Sequence, residues 1–257
     1  MHASHWRPTR SPTTLETLAQ AVYAQLQPKL ERVQLQREQV LFWPDEPIVH
    51  VYFPIDGLVS LLAVIGDGVA VETGLVGPEG IVGLPIFLGA DSAPERAVVQ
   101  LDGVAWRLEA TTFREAAHRE GALHDRLLRY TLSLMTQIAL SSGCHRMHSV
   151  ETRCIRWLLM CHDRVAGDRL PFTHEILGRM LGVRRPSVTT AMGRLQRAGL
   201  IGYQRGQVYI RDRNGLEGAA CPCYWTITRV TERLLGSGAT RPKSRDGSGS
   251  AGLEAGG

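Results

Sequence analysis

Residues 172–197 carry the stretch that decides the reading of this chain: Phe172-Thr173-His174-Glu175-Ile176-Leu177-Gly178-Arg179-Met180-Leu181-Gly182-Val183-Arg184-Arg185-Pro186-Ser187-Val188-Thr189-Thr190-Ala191-Met192-Gly193-Arg194-Leu195-Gln196-Arg197. Thr173 is an N-cap residue, and Ile176, Leu177, Met180 and Leu181 follow at helical spacing until Gly182 stops the helix. After a three-residue turn, Val183-Arg184-Arg185, Pro186 stands as a first helical residue, where a missing N–H costs little. Val188, Ala191, Met192 and Leu195 then form one apolar stripe, while Ser187, Thr189, Thr190, Arg194 and Arg197 occupy the other face. A helix-turn-helix needs this division. The stripe fixes the second helix to its domain and leaves the N-terminal polar residues to enter a DNA major groove. An ordinary helical hairpin carries similar stripes, so the residues beyond the second helix matter. Gly199-Leu200-Ile201-Gly202-Tyr203, a basic turn at Gln204-Arg205-Gly206, and Gln207-Val208-Tyr209-Ile210 read as a hairpin, the wing of a winged helix.

Charge is polarised along the chain. Residues 151–235 hold 14 Arg and no Lys against 7 acidic residues, whereas residues 1–150 hold 12 basic against 16 acidic, so the overall +4 conceals a basic C-terminal domain. Phosphate binding confined to one end fits that distribution.

With 257 residues the chain is long enough for two modest domains, each with a core. The longest apolar runs, near Leu58–Gly66 and Ile81–Ala90, are too short to span a membrane, and Met1–Pro8 has no signal-peptide core. A cytoplasmic protein without membrane contact is expected. All five cysteines lie beyond residue 143, which reads as buried free thiols. Cys221-Pro222-Cys223 is the exception, because two thiols so close suit a metal or an oxidant. No second Cys or His pair completes a zinc spacing, so no metal site and no cofactor are assigned.

The fold class is α+β, in five segments. Residues 1–13, rich in Pro, Arg, Ser and Thr, form a disordered tail. Residues 14–120 form an antiparallel β jelly-roll sensory domain, opened by an amphipathic helix over Thr14–Leu26. Its β-type runs are Val40–Phe42, Val51–Phe53, Leu58–Val64, Val69–Val76, Ala97–Leu101 and Val104–Leu108, with turn signals between them. Residues 121–148 form a dimerisation helix and hinge, preceded by a short helix over Thr111–Ala117. On the long helix Leu123, Leu127, Tyr130, Leu134, Ile138 and Ser141 recur at three and four residues, flanked by Leu128, Met135 and Ala139. That stripe suits burial on the sandwich or pairing with a second subunit, and symmetric DNA reading favours the second. Residues 149–217, opened by an N-cap at Ser149, form the winged-helix domain, and 218–257 form a mostly disordered C-terminal extension.

A β-sandwich, a long helix and a C-terminal winged helix, in that order, resemble the Crp/Fnr family of bacterial transcription regulators, over roughly residues 20–217 and most specifically Phe172–Ile210. The resemblance implies phosphate contacts from Thr173-His174-Glu175 and base reading from Arg184–Thr190. Leu181-Gly182-Val183-Arg184-Arg185-Pro186-Ser187-Val188-Thr189 is similar to a branch that departs from the cyclic-AMP receptor pattern. Arg185 matches that receptor's first base-reading arginine, while Pro186 and Thr190 replace its glutamate and second arginine. The effector pocket implied by the family, at Gly83, Leu84, Arg96 and Ala97, has lost its chemistry. Gly83-Leu84-Pro85 stands for a Gly-Glu-Leu run that holds ribose, and Arg96-Ala97 for an Arg-Ser pair that holds phosphate. Control by cyclic AMP is therefore not expected. The N-terminal cysteine cluster of the family's iron–sulfur sensors has no counterpart before Cys144. Haem ligation by His50 stays open beside its plainer reading as a strand residue.

The expected function is a homodimeric, sequence-specific DNA-binding transcription regulator acting on an inverted-repeat operator in double-stranded DNA, with RNA polymerase left open as a further partner. Arg185, Ser187, Thr189 and Thr190 are expected to read bases, and Thr173, His174, Arg184 and Arg205 to position phosphates. The alternatives are a cupin-like enzyme and a winged helix used for protein contacts. A cupin needs several converging His and a carboxylate, and the sandwich offers His50, with His118 in the following helix, so no catalytic residue is assigned.

Overall fold

The computed structural model describes residues 13–15, 24–66, 69–119 and 121–236. The expected N-terminal tail and most of the helix expected over Thr14–Leu26 lie outside the described residues. From a 3-10 turn at Gln27–Lys29 the chain enters an antiparallel sandwich of seven strands: β1 (Glu31–Leu35), β2 (Val40–Phe42), β3 (His50–Pro54), β4 (Leu58–Ile65), β5 (Val69–Val76), β6 (Glu95–Leu101) and β7 (Gly103–Glu109). One sheet has the order β1-β7-β3 and the other β2-β6-β4-β5. A short helix α1 (Leu84–Phe87) sits between β5 and β6, inside the apolar run that begins at Ile81. The expected strands are present, Val40–Phe42 and Val69–Val76 with the expected bounds and the other four longer by one or two residues where pairing continues past the apolar run, as at Glu95↔Ala63. Strand β1 was legible only as the start of the β texture at Val33, because four of its five residues are exposed or half-buried.

Helix α2 (Ala110–Ala117) leads to α3 (Ala122–Met147), whose 26 residues span about 39 Å. Leu123, Leu127, Tyr130 and Leu134 of α3 are buried in the same core as Phe53, Leu61, Ile81 and Phe113. The stripe expected to pair two subunits is therefore spent on the chain's own sandwich. A different apolar row is left outside, with Leu128 50%, Leu132 50% and Met135 61% exposed, against 6% for Leu134.

After the break at His148, Ser149 caps α4 (Val150–His162), its Oγ accepting from the Thr152 N–H at 3.2 Å. The DNA-binding-type domain continues through β8 (Arg169–Leu170), α5 (His174–Leu181), α6 (Arg185–Arg197), β9 (Ile201–Gln204), β10 (Gln207–Ile210) and α7 (Arg213–Gly218). Strands β8-β10-β9 form the wing sheet.

Beyond residue 218 the expectation of a mostly disordered extension is corrected for residues up to 236. Pro222–Leu235 is a helix, α8, lying back along α3. Tyr224, Ile227, Thr231 and Leu235 are its buried face. Ser133 and Thr231 hydroxyls meet at 2.9 Å, and the Arg126 guanidinium donates to the Leu235 carbonyl at 2.5 Å.

The second core explains an oddity of β4, whose Leu58–Val64 run is apolar without alternation. Val59 and Leu61 face the sandwich interior, while Leu58 and Leu62 pack with Leu75, Trp157, Phe172 and Met180 of the other core. A strand buried on both faces needs apolar residues at successive positions. On that outer face a buried polar network joins the domains. Glu72 accepts from the Ser60 hydroxyl at 2.5 Å and from Trp157 Nε1 at 2.6 Å, and Arg164 pairs with Glu79 at 2.7 Å. Burial pushes the Glu72 carboxyl up to about 7, outweighing the two hydrogen bonds that favour its charged form. Among the described residues no helix is long and apolar enough to cross a membrane.

Candidate nucleic-acid interface

Helix α5 begins at Thr173, whose hydroxyl accepts from the Ile176 N–H at 3.2 Å, and ends at Gly182, held at φ 60°, ψ 40°. That left-handed cap is where glycine is favoured. Gly178 lets the two helices approach, because a Cβ there would lie 2.9 Å from the Val183 carbonyl oxygen. The reading helix α6 starts one residue earlier than expected. Arg184 is its N-cap, Arg185 its first residue, and Pro186 its second, a position whose N–H also lies outside the intrahelical ladder.

The expected apolar stripe of α6, Val188, Ala191, Met192 and Leu195, is buried. Arg184, Arg185 and Ser187 are exposed and make no side-chain hydrogen bond among the described residues. Thr189 and Thr190 are also exposed, but their hydroxyls donate back to the Arg185 and Pro186 carbonyls, each at 3.1 Å. The hydroxyl protons of both threonines are therefore engaged within the helix. Arg194, farther along, pairs with Glu151 at 3.3 Å.

His174 sits differently from an open contact. Its ring stacks on Tyr203 of the wing at 4.2 Å, Nδ1 lies 3.0 Å from Thr189 Oγ1, and Nε2 is buried without a partner. Burial and the neighbouring Arg185 hold its pKa below the usual histidine value. The imidazole thus ties first helix, reading helix and wing together. Tyr203 was missed in the sequence; it is half-buried on β9, and its ring meets the His174 ring of α5. Arg205 is exposed at the wing tip, where φ is positive at both Arg205 (49°) and Gly206 (75°), the backbone of a two-residue hairpin turn.

The four residues of the expected effector pocket do not come together. Glu95, Ala97 and Val99 point into the sandwich, while Arg96 lies on the outer face of β6, its guanidinium 5.9 Å from the Trp43 ring. Successive strand residues face opposite ways, and here Arg96 turns to Trp43 while Ala97 is buried in the core. Gly83 and Leu84 instead line an apolar cavity of about 170 Å³ between sandwich and α3, with Leu61, Leu134, Ile138 and Glu95. Gly83 is left-handed at φ 99° and packs against Val51. His50 opens β3 half-buried, opposite Glu109.

The cysteines hold the largest departure from the sequence reading. Cys154 and Cys161 are buried in the second core. Cys144 and His148, from the end of α3, meet Cys221 and Cys223 at the start of α8, a convergence of residues able to ligate a metal that no local spacing revealed.

Two family models match the chain: the cyclic nucleotide-binding domain over residues 32–120 and the Crp-like helix-turn-helix domain over residues 152–219. Both domains are matched in the family's order, and the chain belongs to the Crp/Fnr family of transcription regulators. Solved structures share its fold. The CRP-family transcriptional regulator TTHB099 from Thermus thermophilus is 21% identical, with 73% of this chain and 96% of that one covered at a TM-score of 0.62. FixK2 from Bradyrhizobium japonicum is 18% identical, with 75% and 98% covered at a TM-score of 0.63. The c-di-GMP responsive global regulator CLP from Xanthomonas campestris is 17% identical, with 75% and 99% covered at 0.58. No curated protein matches the chain.

Proposed function

We propose that the chain is a homodimeric, sequence-specific DNA-binding regulator that acts without cyclic AMP and is not an enzyme. The observation that carries the reading is the N-terminal end of α6. Arg184, Arg185 and Ser187 stand exposed there, on a helix anchored by its buried opposite face. Arg185, Ser187 and the outward faces of Thr189 and Thr190 read base edges, and Arg184 and Arg205 hold phosphates on either side. Thr173 and His174 contribute through the α5 N-terminus and by setting the angle between helix and wing. RNA polymerase is the further partner that activation requires.

The partner copy seats on the outer row of α3. Leu128, Leu132, Met135, Ala139, Ser142 and Arg146 alternate at four and three residues, a heptad seam continuous along the helix and exposed throughout. Self-pairing of such a seam generates the two-fold axis that an inverted-repeat operator mirrors. Cyclic nucleotide is disfavoured by the cavity. It is apolar but for Thr131 and Glu95, and a carboxylate repels a cyclic phosphate, while Arg96 faces away from it. Selection from a random DNA pool at two salt concentrations tests the reading. It predicts an enriched inverted repeat and an affinity that falls steeply with salt; binding without sequence preference, or none, overturns it.

A further inference from the structure

Three cysteines and a histidine, from segments more than seventy positions apart in the chain, close on one point where the long helix ends and the DNA-binding domain begins. Cys144 lies in the last turn of α3 and His148 is its C-cap; Cys221 is the N-cap of α8 and Cys223 lies in its first turn. Cys144 Sγ is 3.8 Å from Cys221 Sγ, Cys223 Sγ is 3.8 Å from His148 Nδ1, and all four ligand atoms lie within 4.8 Å of one another. With metal–sulfur bonds of about 2.3 Å, a tetrahedron has edges of about 3.8 Å. Ligand atoms this close enclose a single ion and leave no space for a multi-iron cluster.

The surroundings suit a charged thiolate centre. Three thiolates and a neutral imidazole around a divalent ion carry a net negative charge, and the buried Arg153 and Arg156 lie beside them. Backbone N–H groups of Cys223 and Tyr224 at the start of α8 reach the Cys221 sulfur. Cys144 and Cys221 are buried, while His148 and Cys223 are only partly covered, which leaves a path for the ion.

We propose that Cys144, His148, Cys221 and Cys223 form a tetrahedral site for one thiolate-preferring divalent cation of the zinc class, clamping α8 to the hinge between the sensory and DNA-binding domains. Neutral histidine and sulfur donors select such an ion over magnesium or calcium, which take oxygen. The clamp draws together three elements on which the DNA-binding domain turns: the end of α3, the His148 hinge and the start of α8.

The test is a cobalt titration of the full chain, reduced and stripped with chelator. The proposal expects visible bands of tetrahedral cobalt and near-ultraviolet thiolate charge transfer that saturate at one ion per chain and vanish on addition of zinc. Cys221→Ser combined with Cys223→Ser should abolish them with the far-ultraviolet circular dichroism retained, and Cys154→Ala, altering a thiol outside the cluster, should leave them intact. Failure of the wild-type chain to take up cobalt overturns the site, as does the weak spectrum of octahedral cobalt. So does a double variant that binds as the wild type does, or reduced protein that forms a Cys144–Cys221 disulfide on air exposure yet takes up no metal.

Discussion

On the proposed function, Arg185 is the residue on which sequence preference turns. It is the exposed first residue of α6. Arg185→Ala should weaken binding to the selected operator by about 1–3 kcal/mol and relax preference at one position of each half-site. Arg205→Ala should weaken all sequences alike and lower the salt dependence, because a wing-tip cation meets phosphate. Titrations against a panel of single-base operator variants distinguish the two, and an Arg185→Ala profile indistinguishable from wild type would mean that another residue reads the base. Glu72 makes a second residue-scale prediction. Its folded pKa of about 7 lies above the ordinary 4.5, so between those values the folded state holds a proton that the unfolded state has released. Stability from this group is present below pH 4.5, declines as pH rises toward 7 at up to about 1.4 kcal/mol per unit, and is flat beyond. Glu72→Gln should flatten that decline in denaturant melts across the range; an unchanged slope would show that Glu72 ionises normally at the domain interface.

At the scale of elements, α3 serves two surfaces with two apolar rows. Leu134 faces Leu61 and the sandwich, and Leu132 faces outward two residues away. Leu132→Glu should produce a folded monomer by sedimentation, with its melting transition close to wild type apart from the lost dimer. Leu134→Glu should instead lower the melting temperature, since it buries a charge in the monomer's own core. If Leu132→Glu stays dimeric, the seam lies elsewhere. Both rows were visible in the sequence, yet their assignment was not. Helical periodicity reports that two faces are apolar without saying which partner covers each. The β4 run posed the same difficulty, because Leu58 and Leu62 are apolar on account of α4 and α5, elements far downstream in the chain.

For the molecule as a whole, the basic half and the acidic half are joined by a packed interface rather than a loose linker. Trp157 and Phe172 stack edge to face at 4.6 Å behind β5, and Glu79 with Arg164 buries an ion pair across it. A signal in the sandwich must therefore act on the DNA-binding domain through this interface and α3. Cyclic AMP and cyclic GMP should give no saturable heat in calorimetry up to millimolar concentration, and neither should change operator affinity. Leu84 and Ala97 offer no partner for ribose or phosphate, and each unpaired buried group costs about 1–3 kcal/mol. Micromolar saturable binding of either nucleotide would overturn this account of the sandwich.

The helix-turn-helix, its wing and most strands of the sandwich could be read directly from the amino acids. Caps, glycine stops, turn residues and apolar periods act over three to eight positions, and Thr173, Gly182 and Ser149 do locally what their chemistry dictates. The exposed arginines of α6 were legible for the same reason. Tertiary structure alone decided which row of α3 is buried, that Arg96 and Ala97 part to opposite faces, that His174 turns inward onto Tyr203, and that residues 222–235 fold back as a helix. It also brought Cys144 and His148 to Cys221 and Cys223. These outcomes depend on contacts between distant segments, whose free energy belongs to packed pairs and leaves no periodic mark on either partner.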